Sequence, residues 1–506
     1  MSIMLIVLLT SLVSWPVPAR AEVLRGVADP AAAAAPGPTR ARGALTLEEA
    51  IRLAVRESAR GRIIRGDVEV KQGLYQASRS NFYFPSVSIN GQVPAYAVDQ
   101  SYKFFGGSTR KRLYKTQGLA LNSFVQLDQS LVTGGTLNLR ANLANNQDRY
   151  PDTDPTASPN SFLDEVGRRG YFDFALEQPI LRPSQPRNEL ANRHDDLEQA
   201  GLTRVSEEAK LAREVTEAFV GVLLADLKEE TARDRLEAAG LRAGIDSTKW
   251  TDGVLSEEEW LTSASKRLDA ELSLRETAAA AAEKRRSLAL LLDLEDEQGI
   301  ELARPESPTP LSADRVAALR AGWSSCRAVR QAELEHAKAT RAADFAAAGH
   351  GFTGDFKASY SIGRGRVKLA DYPTDNINTN GWGVSLNFSY PVWDGGASGA
   401  VVRSAHFEAE RARLQLARAK QDARAQTGRL LDLIEVSGRR LEILWKQEEL
   451  ATRKVRIAEE RFADERINKV TMLEADVVRL ETQARGLEEL MTYLVNRIDL
   501  ESRFEE

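Results

Sequence analysis

Few residues of the types that most often do chemistry occur in this chain, and they form no enzymatic pattern. The 506 residues include 4 histidines. They are His194, His336, His350 and His406. None of them occurs in an H-E-x-x-H motif, the spacing that binds zinc on one helix face. Gly395-Gly396 is not followed by the Lys-Ser/Thr of a phosphate-binding loop, and Gly363-Arg364-Gly365 lacks the third glycine of a dinucleotide fingerprint. The sequence therefore predicts no enzyme, no metal site and no cofactor.

The start of the chain predicts export, and the net charge bears on possible partners. The 68 basic and 73 acidic residues give a net charge of −5, which does not favour a nucleic-acid-binding protein. The apolar run Met4–Val13, followed by Ala19-Arg20-Ala21, predicts a signal peptide over residues 1–21. An Ala/Pro-rich lead-in is expected over 22–44. No run of about 20 apolar residues exists, so no transmembrane helix is predicted.

Alternating segments predict strands. Val384, Leu386 and Phe388 alternate with polar residues, and residues 352–362 and 171–180 alternate in the same way. A further hairpin is predicted around Thr133-Gly134-Gly135-Thr136. Period-2 segments of about ten residues are typical of transmembrane barrel strands. Any one of them alone also fits a half-buried strand of a soluble sheet.

Long helices are predicted between the strands. The opening helices are expected over 46–80 and 312–347, the long helices over 187–249 and 399–463, and the return helices over 256–295 and 468–504. The long helices have no proline within these bounds, and each is about 95 Å long at the usual rise per residue. Apolar residues at spacings of three, four and seven favour coiled-coil packing.

A constant offset predicts that the chain contains two copies of one unit. Pro179 and Pro391 each end a strand, and 391 − 179 = 212; Trp250 and Phe462 are also 212 apart. The predicted repeats are residues 45–300 and 311–506, joined by a proline-rich linker at 301–310. The first repeat carries 54 additional residues, since its opening leucine lies 311 − 45 = 266 before its counterpart.

Two short turns join the long helices to the return helices. In the first, Gly253-Val254-Leu255-Ser256, glycine suits the left-handed position that ends a helix, and Ser256 suits the next N-cap, with Glu259 completing a capping box. The second is Glu465-Arg466-Ile467-Asn468, in which Asn468 is the counterpart of Ser256 (256 + 212). It lacks the glycine.

The order of these motifs resembles that of the TolC-like outer-membrane efflux and secretion channel family. The resemblance covers nearly all of residues 45–504. It is carried by Leu45-Thr46-Leu47-Glu48-Glu49-Ala50, Phe84-Pro85-Ser86-Val87, Gln178-Pro179-Ile180-Leu181, Gly253-Val254-Leu255-Ser256, Tyr390-Pro391-Val392-Trp393-Asp394-Gly395-Gly396, Val470-Thr471-Met472-Leu473-Glu474-Ala475 and Tyr493-Leu494-Val495-Asn496.

The resemblance implies a mainly α fold with transmembrane β-strands. Three subunits would form a β-barrel in the outer membrane that continues into a periplasmic α-helical barrel. In the simplest family pattern each subunit contributes four strands to a twelve-stranded barrel. The additional segment at about 118–160 leaves open whether this chain contributes four strands or six.

The implied function is passive export in a tripartite efflux or type I secretion system. The expected partners are two further copies of the chain, a periplasmic adaptor (membrane fusion) protein, an inner-membrane transporter and outer-membrane lipid, with no nucleic acid. Gly253–Ser256 and Glu465–Asn468 would face the adaptor. An alternative is a soluble periplasmic coiled-coil scaffold or adaptor, against which the alternating strands argue.

The resemblance also implies a gate at the periplasmic entrance. In the family, acidic residues on the last helix just past the tip form rings that narrow the entrance. Glu474 falls on one such position by motif, while Thr471 stands where another acid is often found. The simpler alternative is that Glu474 is a solvated helix residue, or that it caps the helix with Thr471.

Overall fold

The computed structural model describes residues 44–104, 111–151, 162–294, 301–305, 308–369, 375–390 and 392–504. The first part of the chain forms α1 (Leu47–Arg56), α2 (Ala59–Tyr83), β1 (Ser86–Phe104), β2 (Lys111–Ser130), β3 (Thr136–Pro151), β4 (Phe162–Pro179), α3 (Gln185–Thr251) and α4 (Glu257–Leu291). The second part forms α5 (Ala313–Ala321), a 3-10 turn (Gly322–Ser325), α6 (Arg327–Gly349), β5 (Thr353–Leu369), β6 (Asp375–Ser389), α7 (Ala397–Ala463) and α8 (Lys469–Glu501). The predicted signal peptide, Pro391 and all but one residue of the predicted lead-in lie outside the described residues.

The two long helices confirm the predicted spans and keep the predicted offset. Helices α3 and α7 contain 67 residues each. Their first residues differ by 397 − 185 = 212 and their last by 463 − 251 = 212. Each extends over about 100 Å. Helix α3 packs along α4 and α2, helix α7 packs along α8 and α6, and α8 joins the two groups by packing on α3.

The first opening helix is not continuous, contrary to the prediction of one helix over 46–80. It breaks at Glu57-Ser58 into α1 and α2. Ser58 caps the second segment: its Oγ accepts a hydrogen bond from the Gly61 amide at 3.0 Å and donates one to the Ala54 carbonyl at 2.5 Å. A Cβ on Gly61 would lie 2.2 Å from the Val55 carbonyl oxygen. The break therefore needs glycine at position 61 and a side chain that caps the helix at position 58.

The second opening helix is also broken, contrary to the prediction of one helix over 312–347. The 3-10 turn Gly322–Ser325 interrupts it, and Cys326 then adopts an extended conformation. Cys326 forms an isolated bridge with Phe504, and the Arg327 amide donates to the Arg503 carbonyl at 2.9 Å. The break thus brings the start of α6 against the end of the chain.

Within the described ranges the strands form one six-stranded antiparallel sheet in the order β1-β2-β3-β4-β5-β6. The sequence left open whether the chain contributes four strands or six, and the described residues form six. The predicted hairpin turn at 133–136 joins β2 to β3, with Gly134 at φ +93°. A Cβ there would lie 2.9 Å from Ser184 Cα, next to the start of α3.

The main core lies along the middle of α3 and α7, between the sheet and the hairpin turns. Its fully buried side chains come from both long helices and from their neighbours: Ala50, Leu211, Val215, Phe219, Leu288, Leu441 and Leu500. The parallel bridge between Leu45 and Leu302 closes the first part of the chain onto itself. Among the helices of the described ranges, none is both long and apolar enough to cross a membrane.

Candidate functional site

The first hairpin turn, which joins α3 to α4, has the predicted geometry. Gly253 has φ +72°, in the left-handed region. Ser256 Oγ accepts a hydrogen bond from the Glu259 amide at 3.3 Å, and Glu259 Oε2 accepts one from the Ser256 amide at 3.1 Å. Ser256 Oγ also donates a hydrogen bond to Glu259 Oε2 at 2.8 Å. This bond, followed by the one from the Ser256 amide, lowers the pKa of the Glu259 carboxyl. Val254 and Leu255 lie at the turn, and Val254 is exposed.

The second hairpin turn, which joins α7 to α8, has the same geometry as the first but lacks its glycine. Glu465 takes the left-handed position at φ +58°, where a non-glycine residue is strained. Asn468 Oδ1 accepts hydrogen bonds from the Thr471 amide at 2.9 Å and the Thr471 hydroxyl at 2.8 Å. Arg466 is exposed and Ile467 half-buried between them. Thr471 therefore belongs to the cap of α8.

An aromatic pair distinguishes the first turn from the second. The rings of Trp250 and Trp260 stack across α3 and α4 with centroids 4.6 Å apart and an interplanar angle of 8°. Their counterparts 212 residues later are Phe462 and Met472. The sequence marks Trp250 through its offset from Phe462, but it does not predict the pairing with Trp260, since that contact depends on the register of the hairpin.

Glu474 lies in a ladder of ion pairs between α3 and α8. Arg242 Nη2 is 3.0 Å from Glu474 Oε1. Arg235 pairs with Glu481, and Lys228 Nζ is 3.9 Å from Glu488 Oε1. Both sets advance by seven residues along their helices, in opposite directions, as expected of charges flanking an antiparallel coiled-coil seam. This spacing is visible in the sequence, but the pairing is not.

A second charged cluster lies between α3 and α8 beside Glu474 and consists of Asp234, Asp476 and Arg479. Burial raises the pKa of Asp234 on α3, and the negative charge of Asp476 raises it further, while Arg479 opposes both. Asp234 Oδ2 is buried and has no hydrogen-bond partner among the described residues. Arg479 Nε donates to Asp476 Oδ1 at 2.6 Å. Sequence reasoning missed this group because its three members belong to two distant segments.

One face of the sheet is apolar and exposed. The strand register places alternate residues of all six strands on this face. It carries exposed large side chains on every strand: Val87, Ile89, Tyr96, Val98, Tyr102, Leu119, Leu121, Leu143, Phe172, Tyr360, Trp382, Val384, Leu386 and Phe388. Trp382 is 79% exposed. We call this set the apolar face.

The opposite face of the sheet is polar and internally hydrogen-bonded. Asn142 Nδ2 donates to the Tyr171 hydroxyl at 2.6 Å, and the Ser361 hydroxyl donates to Asp173 Oδ1 at 2.6 Å. Further contacts on this face join Lys357 to Glu177 at 3.1 Å and place the Arg140 guanidinium 3.6 Å from the centroid of the Phe124 ring. The two faces therefore suit different solvents.

Exposed aromatic and aliphatic residues also surround the junction between sheet and helices. They lie at the ends of α2, β4 and α6 and after β6: Tyr83, Phe84, Ile180, Leu181, Phe352, Tyr390, Val392 and Trp393. Asp394 lies just before α7 and accepts hydrogen bonds from the Ser398 amide at 2.8 Å and the Gly396 amide at 2.9 Å. The hydrogen bonds from Ser398 lower the pKa of Asp394.

Two helices carry exposed apolar residues at heptad spacing. On α7 these are Val436, Ile443, Leu450 and Ile457, each seven residues from the next. On α4 they are Leu261 and Leu268, seven apart, followed by Leu272. Such a stripe normally packs against another helix. Within the subunit these side chains remain exposed.

Comparison with known proteins agrees with this architecture. Residues 324–502 match the sequence model of the family described as "Outer membrane efflux protein". No protein of curated function matches the sequence.

Several solved outer-membrane proteins share the fold. The chain is similar to the CmeC outer membrane channel of Campylobacter jejuni at a TM-score of 0.58 and 11% identity, over 90% of this chain and 84% of that one. It is similar to the outer membrane protein VceC of Vibrio cholerae at 0.55 and 12%, over 91% and 97%. It is similar to the MtrE outer membrane channel of Neisseria gonorrhoeae at 0.55 and 14%, over 90% and 88%. The resemblance to TolC-like channels inferred from the motifs is thereby confirmed.

Proposed function

We propose that the protein is the outer-membrane channel subunit of a tripartite efflux or type I secretion system. It would act as a passive exit duct, with energy supplied by an inner-membrane transporter. The observation that carries this proposal is the six-stranded sheet, apolar on one exposed face and polar on the other, above helices of 67 residues. A sheet in lipid must present apolar side chains outward and polar ones to the lumen.

The subunit is proposed to act as a homotrimer. Strands β1 and β6 each have one neighbour in the sheet, and unpaired edges of this length are a liability unless another chain covers them. Because the strands alternate in direction, β6 of one copy can pair antiparallel with β1 of the next. Three copies of six strands would make eighteen, a barrel about 1.5 times as wide as one of twelve.

The exposed stripes on α4 and α7 are proposed as the helical part of the same contact. Heptad-spaced apolar residues on both helices would pack between neighbouring subunits as in a coiled coil. The two parts of the chain, 45–300 and 311–506, are proposed to be duplicated units, since both long helices and both caps keep the offset of 212. Residues 1–21 remain a proposed signal peptide.

The turns Gly253–Ser256 and Glu465–Asn468 are proposed to contact the periplasmic adaptor. Both are exposed at the ends of the long helices. Glu474, with Thr471 beside it, is proposed to line the gate. Its carboxylate is paired with Arg242 in the same subunit, so a ring of three would be partly neutralised. Movement of α8 away from α3 would break the pair and uncover three carboxylates, which repel each other and attract cations.

Membrane fractionation combined with unheated gel electrophoresis tests the proposal. We expect a trimer in the outer membrane that dissociates on heating. A water-soluble monomer or dimer in the periplasm would contradict the proposal and favour a coiled-coil scaffold instead. Conductance in planar bilayers would follow, with Glu474→Ala expected to change the open probability.

A further inference from the structure

Four basic side chains interrupt the apolar face near one end of β4 and β5. Arg364, Arg366 and Lys368 alternate along β5, and Arg168 is the cross-strand partner of Arg366. By register all four share the face of Tyr360 and Phe172, and all four are exposed. We call this set the basic patch.

The basic patch has no counter-charge within the described part of the chain. None of its four side chains forms an ion pair or hydrogen bond there. Its neighbours on the same face are amides: Asn145 faces Arg168 from β3, while Asn376 and Asn378 face Arg366 and Arg364 from β6. The nearest acid on that face of β4 is Asp164, which is 3.5 Å from Arg149.

Like charges directly opposite each other destabilise a strand pair. Arg168 and Arg366 are such a pair, and two further cations stand two residues away on either side of Arg366. An isolated sheet would gain nothing from this arrangement. An anion with several oxygen acceptors would relieve the repulsion, and guanidinium groups bind phosphate in a bidentate manner.

The location of the patch identifies the source of the anion. The last apolar cross-strand pair on this face is Phe172 with Ile362, and Arg364 is the next residue of β5 on that side. Arg366 lies four residues beyond Ile362, or about 13 Å along the strand. The helices join the strands at the opposite end, where β4 ends at Pro179 and β5 begins at Thr353. The patch is therefore at the end of the sheet away from the helices.

We propose that the basic patch binds the phosphate groups of lipids in the outer leaflet of the membrane. The inference rests on the proposed function, because it requires the apolar face to lie in lipid with the helices on the periplasmic side. The patch then stands at the height of the outer head groups. Tyr360 and Ile362 lie directly beside it, so the acyl chains of the same lipid can cover them while its phosphate contacts Arg364 and Arg366.

The continuity between cations and apolar side chains favours a lipid over a soluble phosphate. A soluble anion would need a concave site, whereas the register here gives a flat row of exposed side chains on adjacent strands. Each lysine or arginine near an anionic membrane surface raises the affinity for that surface about fivefold. Three substitutions should therefore weaken the interaction on the order of 100-fold.

The test compares the purified trimer with R364Q/R366Q/K368Q in lipid nanodiscs. Bound lipid is measured by native mass spectrometry after exposure to bisphosphorylated lipid A, to its dephosphorylated form and to phosphatidylethanolamine. We expect selective retention of the bisphosphorylated lipid by the wild type and its loss in the variant. The variant R453Q/K454Q/R461Q removes three exposed charges from α7 and should behave as the wild type.

The possible outcomes separate the two proposals. Equal retention of the bisphosphorylated lipid by wild type and R364Q/R366Q/K368Q would overturn the proposal that the basic patch binds lipid phosphate. Complete displacement of the lipid by inorganic phosphate, with phosphate bound in its place, would overturn it as well. A fluorophore at W382C in a C326S background reports the apolar face independently through quenching by brominated lipid. Quenching without phosphate selectivity would overturn the patch alone, whereas absence of quenching would overturn the proposed function itself. Heat-modifiable trimer on gels confirms that each variant is folded.

Discussion

The sheet and the helical body place their apolar side chains in opposite ways. The helices bury theirs in seams, as at Phe219 and Leu441, and leave ion pairs such as Arg242–Glu474 at the surface. The sheet exposes its apolar side chains, as at Trp382 and Ile89, and hydrogen-bonds its polar ones to each other on the other face. The difference indicates that one chain is built for two solvents, with the boundary at the aromatic junction around Trp393.

The largest effect should come from a charge on the apolar face. Val384→Arg is expected to prevent assembly of the trimer, because a charge in lipid costs about 2–4 kcal/mol per subunit. Ser385→Arg, one residue away on the polar face, should be tolerated. The amount of heat-modifiable trimer in the outer membrane measures both. Equal loss from the two variants would contradict the assignment of the faces.

In the helical body, the buried apolar side chains should matter more for stability than the exposed ones. Leu288 is fully buried in α4, while Leu290 is 82% exposed. Leu288→Ala should cost about 2–5 kcal/mol of the free energy of unfolding, and Leu290→Ala about 0.5 kcal/mol or less. Thermal melts followed by helical circular dichroism give both values. A larger loss from Leu290 would mean that this side chain packs against another subunit.

Asp234 should make the contact between α3 and α8 sensitive to pH. Its pKa in the folded protein is raised by burial and by Asp476, so the folded state holds a proton at pH values where the unfolded state has lost it. The resulting stabilisation is complete below the unfolded pKa and is lost as pH rises through the folded pKa.

Asp234→Asn should remove that dependence and raise the free energy of unfolding at neutral pH by about 1 kcal/mol or less, after allowing for solvent screening. Melts between pH 4 and 8 test this. Asp344→Asn on α6 is a control at a site remote from this charged cluster. If Asp234→Asn left the dependence of the melting temperature on pH unchanged, that dependence would come from another titratable group.

The smallest effect should come from the strained turn. Glu465 has φ +58° where its counterpart is Gly253, so Glu465→Gly should stabilise the second turn by about 0.5–1 kcal/mol. Gly253→Ala should destabilise the first turn by a similar amount. Hydrogen exchange at the two turns distinguishes these local effects. A loss of protection in Glu465→Gly would show that the glutamate makes a contact that outweighs its strain.

Features governed by local sequence were predictable, and those that depend on distant segments were not. The bounds of α3 and α7 follow from long stretches without interior proline, and the caps at Ser256 and Asn468 from residue type. The breaks at Ser58 and Gly322 were missed because both residues also occur inside helices, and the surrounding packing decides. The sequence left the number of strands open, since alternation within the additional hairpin does not show whether its two strands pair with β1 and β4 in the same sheet.

The candidate site was predictable to the same extent. The turns and Glu474 were located from motifs, whereas the partner of Glu474 was not, because the antiparallel register of α3 on α8 is set by the entire fold. The basic patch was also missed: Arg364 and Arg366 are two residues apart in sequence, but Arg168 joins them only through the pairing of β4 with β5.

A cysteine scan along β3 in membranes, in a Cys326→Ser background, tests whether the apolar face of the sheet lies in lipid. Residues 138–143 are labelled one at a time with an environment-sensitive fluorophore, and quenching by brominated lipid is compared with reaction toward a charged thiol reagent. We expect a period of two, with lipid quenching at positions 139, 141 and 143 and reaction from water at positions 138, 140 and 142. Uniform reactivity with the charged reagent, with no alternation, would contradict the placement of the apolar face in lipid.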